Sequence, residues 1–171
     1  MTVCCKYISI SFALILSVCT ICTTATAQNT ALDFFVGNWA LKVWSGNDTV
    51  QKPDITAQWK LEKGLDSVLC LLGNVKMKGS DYTREFITQS PNIKTQYIRT
   101  IITNDGSTIK LTSNGWQDKL LTWTGTQVQG EKTIQLKEEI HRLSNKCFIA
   151  AFFILSNGKW VQTQTELAEK I

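Results

Sequence analysis

Ile55-Thr56-Ala57-Gln58-Trp59-Lys60-Leu61 alternates apolar and polar side chains without a miss. Successive side chains of a β-strand point to opposite faces, so this period of two describes a strand with one face buried and one face wet. The same pattern continues on both sides. Trp39, Leu41 and Val43 form an apolar row upstream. Leu69, Leu71, Val75 and Met77 form another downstream, with Lys76 and Lys78 opposite. Turn chemistry separates these rows at Ser45–Pro53, Lys63–Asp66, Gly79–Asp81, Ser90–Lys94, Asn104-Asp105-Gly106, Ser113–Lys119, Gly125–Glu131, Ser144–Lys146 and Asn157-Gly158. Turns at that spacing imply about ten strands in an antiparallel barrel or sandwich. Nearly every connection is hairpin-short, and closure removes exposed strand edges, so an up-and-down barrel is favoured over a Greek-key sandwich. No linker, charge block or repeat divides the chain into further domains.

Helical periodicity appears only over Thr30–Val36, where Thr30 and Asp33 have capping-box-like spacing ahead of Leu32, Phe34 and Phe35. A short N-terminal helix is expected there. Before it, Lys6 is the only charged side chain, and Tyr7–Ile21 is apolar apart from Ser, Cys and Thr. That run falls short of the roughly 20 residues a spanning helix needs, and it ends in Ala25-Thr26-Ala27, a small-x-small cleavage pattern. Residues 1–27 therefore read as a signal peptide and 28–171 as the mature barrel, secreted or periplasmic, with no stable membrane span after cleavage. An uncleaved anchor is the alternative. Val18 and Ile21 precede Cys19 and Cys22, where an acylated lipoprotein needs a small residue.

Cleavage would remove Cys4, Cys5, Cys19 and Cys22 and leave Cys70 and Cys147. An exported chain permits a disulfide between them, although two free thiols are the favoured reading. No CxxC or Cys/His spacing suggests a metal. The formal net charge of +4 has no basic cluster behind it, which argues against a nucleic-acid partner. Asn47-Asp48-Thr49 is a glycosylation sequon, with meaning only in a eukaryotic secretory pathway.

His141 is the only histidine, so any Ser-His or Cys-His catalysis would have to use it. Its charged neighbours Glu138, Glu139 and Arg142 describe a solvated strand end. Glu138 and Glu139 are adjacent on a strand and point to opposite faces, so they cannot converge on each other. In Tyr97-Ile98-Arg99-Thr100-Ile101-Ile102, Tyr97, Arg99 and Ile101 share one face, and either face could point inward. An inward Arg99 must be paired, with Glu85 the partner to hand, and would orient a ligand. An exterior cross-strand ion pair is the alternative. Trp39, Trp59 and Trp123 stand in inward rows; Trp44, Trp116 and Trp160 lie beside turns, where they could ring a mouth. Ala57, Gly73 and Thr88 offer room in the lumen. Cys147–Leu155 is apolar on both faces, and its outer face needs a cover, either the N-terminal helix or a second subunit.

Gly37-Asn38-Trp39, opening the first strand after a short helical segment, resembles the G-x-W signature of lipocalin-like (calycin) barrels. The order Leu32-Asp33-Phe34-Phe35-Val36-Gly37-Asn38-Trp39, Trp59 with a Gly64-Leu65 turn, Arg84-Glu85-Phe86, Leu121-Thr122-Trp123-Thr124-Gly125 and a final strand near Gly158–Leu167 is similar to a small bacterial calycin-like family of uncharacterised function. The resemblance implies that Trp39 plugs the closed end and that the open end admits an apolar ligand. Lipocalins usually pack an Arg of the last strand over the signature Trp; the last strand here offers Lys159 and Lys170. Haem-carrying barrels similar to nitrobindin use a late-strand His and a G-x-W-x-G-x-G continuation, and neither is present, so no cofactor is expected. Trp59, Arg84, Tyr97, Arg99 and Trp123 are the lumen candidates, with Gly37 and Trp39 as the structural signature. The leading expectation is a binding barrel for a small apolar ligand. A structural barrel, dimeric or with an envelope partner, comes second, and an isomerase- or cyclase-type enzyme third, by fold analogy alone.

Overall fold

Alternating rows become strands because each strand buries its apolar face against the others. The computed structural model describes residues 30–45, 55–63, 69–90, 92–93 and 95–171; the leader 1–27 and the Asn47 sequon lie outside them. In chain order the strands are β1 (Gly37–Ser45), β2 (Ile55–Lys63), β3 (Leu69–Met77), β4 (Ser80–Gln89), β5 (Tyr97–Thr103), β6 (Thr108–Ser113), β7 (Trp116–Gln117), β8 (Leu120–Gln129), β9 (Lys132–Ser144), β10 (Cys147–Ser156) and β11 (Lys159–Lys170). Each long strand pairs antiparallel with its sequence neighbours, β11 returns to β1, and β6 pairs with β8. The result is a closed ten-stranded antiparallel barrel, with the two-residue β7 attached to β8 alone.

The inward rows carry Leu41, Val43, Ala57, Leu71, Val75, Ile87, Leu111, Leu121, Ile140 and Ala150, all buried. One end is filled by aromatic rings. Phe34, Phe35, Trp39, Trp59, Trp116 and Phe148 pack there in tilted, edge-on and stacked pairs with centroids between 5.1 and 6.4 Å apart. The Trp39 indole donates to the Phe35 carbonyl at 2.7 Å, and Lys170 Nζ lies 5.2 Å from the Trp39 ring centroid. A Cβ on Gly37 would come within 2.7 Å of Lys170 Cε, so the residue two before Trp39 leaves room for the lysine stem.

Several expectations change. The N-terminal helix amounts to one turn, Thr30–Asp33, and no other helix occurs among the described residues; none there is long and apolar enough to cross a membrane. Gly125–Gln129, expected to begin a turn, continues β8, and the turn is confined to Gly130 and Glu131. A Cβ on Gly125 would sit 1.9 Å from the Lys110 carbonyl, because the β6 backbone passes that closely where the barrel closes. Trp116 belongs to the closed-end plug, stacked on Phe35 at 5.9 Å, rather than to a mouth. Cys70 and Cys147 are free thiols on β3 and β10, strands that are not neighbours, so they form no bridge. The Cys70 thiol is pushed up by burial.

Candidate functional site

Above the aromatic plug the barrel encloses a cavity of about 400 Å³. Its walls are mostly apolar, including Val43, Ile55, Val75, Ile101, Phe152 and Ile154. It extends toward the end where the β3–β4, β5–β6, β8–β9 and β10–β11 hairpins lie, past Met77, Tyr82, Thr103, Gln127 and Thr163.

Four charged side chains enter this apolar space. Arg99 on β5 lies in the inward row with Ile101 and is 7% exposed. β4 and β5 pair Glu85 with Ile101 and Ile87 with Arg99, which makes Glu85 and Arg99 diagonal neighbours on the inner face. Arg99 Nη2 donates to Glu85 Oε2 at 3.0 Å, and Nη1 donates to Glu138 Oε2 of β9, which comes from the far side of the β6–β8 seam. Glu85 also accepts the Trp59 indole N–H at 3.3 Å. The Arg99 guanidinium lies 5.7 Å from the Trp123 ring centroid, and Trp123 is the cross-strand partner of Glu138.

The planar guanidinium fork suits two carboxylates at once, which is what allows charges to be buried here. Burial alone would lower the Arg99 pKa, but the charges of Glu138 and Glu85 outweigh it and hold the guanidinium above its ordinary value. Burial raises the Glu138 carboxyl above the usual range, with Arg99 opposing the shift. Glu166 on β11 faces the same cavity, between Val43 of β1 and Ala150 of β10. Burial first, and then the charges of Glu138 and Glu85, push its pKa up to about 8. Arg99 Nε and Trp123 Nε1 are buried and have no acceptor among the described residues.

Trp59, Arg99 and Trp123 line the cavity. Tyr97 shares the inward face of β5 but packs toward the closed end, with a Cβ on Gly115 only 3.2 Å from its ring. Arg84 lies on the outer face, exposed and paired with Asp81 at 3.4 Å, because residues beside an inward Glu85 must point out. Gly73 does not widen the lumen: a Cβ there would fall 2.2 Å from Trp59 Nε1, so the indole that binds Glu85 occupies its place. Thr88, next to the buried Ile87, is on the outward row. His141 is exposed. Among the described residues no group of His, Cys, Asp and Glu could hold a metal ion. Glu138 and Glu166 are the site residues that reading the sequence missed. Glu138 does not belong to a solvated strand end: it is buried on the inward row, while Glu139 points out and pairs with Lys137 at 2.7 Å. Arg99 has a two-pronged fork, and that alone asked for a second carboxylate without naming it.

No protein-family model matches the chain, and no curated protein matches it. Solved structures do. The crystal structure of Rv2717c from M. tuberculosis superposes with a TM-score of 0.54 at 9% identity, over 84% of this chain and 98% of that one. The structure of EF1p2_mFAP2b bound to DFHBI aligns with a TM-score of 0.35 at 14% identity, over 82% of this chain and 97% of that one. At such identities the first likeness is one of fold: this chain is similar to Rv2717c in its barrel.

Proposed function

We propose that this chain is a secreted or periplasmic barrel of the lipocalin-like kind that holds one small, largely apolar molecule in its lumen. The observation that carries the reading is the cavity of about 400 Å³, apolar-walled, with Arg99, Glu85, Glu138 and Glu166 gathered around it. Small-molecule sites have this composition: apolar area for affinity and a few placed polar groups for orientation. Support for the lipocalin-like assignment comes from Trp39 at the start of β1 with Lys170 over its ring. Support for export comes from the leader pattern ending at Ala27.

Native mass spectrometry of the full-length chain from a secreting host tests this reading. The expected result is a native mass exceeding the denatured mass by one small molecule, with the denatured mass locating cleavage after Ala27. Equal masses, together with no binding of an apolar fluorescent dye by the isolated protein, would overturn it.

A second reading, a structural barrel that pairs with another copy, is favoured by one observation. Ile149, Ala151, Phe153 and Leu155 form an apolar outer row on β10, half-buried, over which Lys137 lies 4.3 Å from the Phe153 ring. A dimer without any small molecule in the same spectrum would support it.

A further inference from the structure

Lumenal acids outnumber lumenal bases, and this deepens the binding function proposed above, on which it rests. Among the described residues Glu85, Glu138 and Glu166 line the cavity, with Arg99 as the one cation. Arg99 commits its two Nη groups to Glu138 and Glu85. Glu166 is left over. It makes no hydrogen bond or ion pair among the described residues, and its cross-strand neighbours, Val43 and Ala150, have nothing to offer it. The charged groups facing it are Glu138 on β9, Glu85 on β4 and Arg99 on β5. A buried carboxylate needs a counter-charge, and aromatic faces in the same space, Trp59, Trp123, Phe148 and Phe152, add attraction for a cation. The unpartnered N–H groups of Trp123 and Arg99 are donors, which an ammonium cannot satisfy; they leave room for an acceptor elsewhere on the ligand.

We propose that the lumen takes a small amphiphilic cation, an apolar body carrying one protonated nitrogen, whose N–H groups pair with the Glu166 carboxylate. With the lumen unliganded, Glu166 holds its proton up to about pH 8. An ammonium head supplies the missing counter-charge, so binding below that pH expels one proton from Glu166 to solvent. Affinity then rises about tenfold per pH unit toward pH 8. A ligand carbonyl accepting from the neutral acid has the opposite dependence: constant below pH 8 and weakening above it.

The test is calorimetric titration of the full-length protein with octylamine, octan-1-ol and octanoate at about pH 6.5 and about pH 7.5, in buffers of different ionisation enthalpy. Octylamine is expected to bind more tightly than octan-1-ol by about tenfold or more, to tighten about tenfold between the two pH values, and to release one proton. Glu166→Gln is expected to abolish the amine preference, so that octylamine binds the variant no more tightly than octan-1-ol does. Because proton release is read on the unmodified chain, the result does not depend on the variant folding. Equal binding of amine and alcohol, or an amine preference that survives E166Q, overturns the cationic ligand while the lumenal site stands. Failure of all three probes to bind a folded barrel overturns both.

Discussion

Arg99 is the residue on which the interior turns. It is buried with two carboxylates, and the cost of desolvating three charges is recovered only while all of them are present. Arg99→Met leaves Glu85 and Glu138 buried without a counter-ion, and unfolding in urea is expected to show a loss of about 3–5 kcal/mol. Adding Glu85→Gln and Glu138→Gln to that variant is expected to restore much of the loss. A change below about 1 kcal/mol for Arg99→Met would mean that the network contributes only to ligand orientation. Proximity of Arg99 to Glu85 was legible from the strand pattern; its direction was not. Ile98 and Ile102 make the outward face of β5 as apolar as the inward one, and Ile102 is 41% exposed. Alternation cannot choose between two apolar faces. Glu166 was illegible for a related reason: the inward row of β11 includes Gln164 and Glu166, polar residues that announce a wet face.

At the scale of elements, closure of the barrel depends on the β6–β8 seam. Gly125 opposes Leu111 there, and the approach of the Lys110 carbonyl leaves no space for a Cβ. In sequence, a glycine after Leu121-Thr122-Trp123-Thr124 reads as the start of a turn; in the barrel it is the point at which β8 passes over β7 and comes into register with β6. Gly125→Val is expected to destabilise by about 2 kcal/mol or more, since the backbone of β6 must retreat. Amide exchange is expected to speed up first at Leu111 and Thr112, with β2 and β3 less affected. Unchanged protection along β6 would show that the seam is not held at Gly125. The hairpins themselves were largely legible, because turn chemistry is local: Asn157 and Gly158 join β10 to β11 where the sequence places them.

At the scale of the whole molecule, the described lumen holds more acid than Arg99 can neutralise, and stability should report that. Glu166 has a pKa of about 8 in the folded barrel against an ordinary value of 4.5. Between those values the native state keeps a proton that the unfolded chain has released, so raising the pH favours the unfolded chain. This contribution to stability is complete below about pH 4.5, falls as pH rises, and is gone above about pH 8. Glu138, also raised, acts in the same direction. The unliganded barrel is therefore expected to melt several degrees lower at about pH 8.5 than at about pH 5, and Glu166→Gln is expected to flatten much of that slope. A slope unchanged in E166Q would remove Glu166 as its source. Strand after strand, local pattern pointed to an antiparallel all-β fold, with a barrel favoured over a sandwich, since a period of two and short turns are properties of neighbouring residues. It also determined an aromatic, tryptophan-anchored start to the first strand. Tertiary structure alone set Arg99 inward with Glu138 of β9 on its second Nη, left Glu166 of β11 facing the same cavity without a partner among the described residues, and turned Arg84 outward. Which side chains meet across a barrel follows from the stagger and closure of the whole sheet, and no local pattern encodes that.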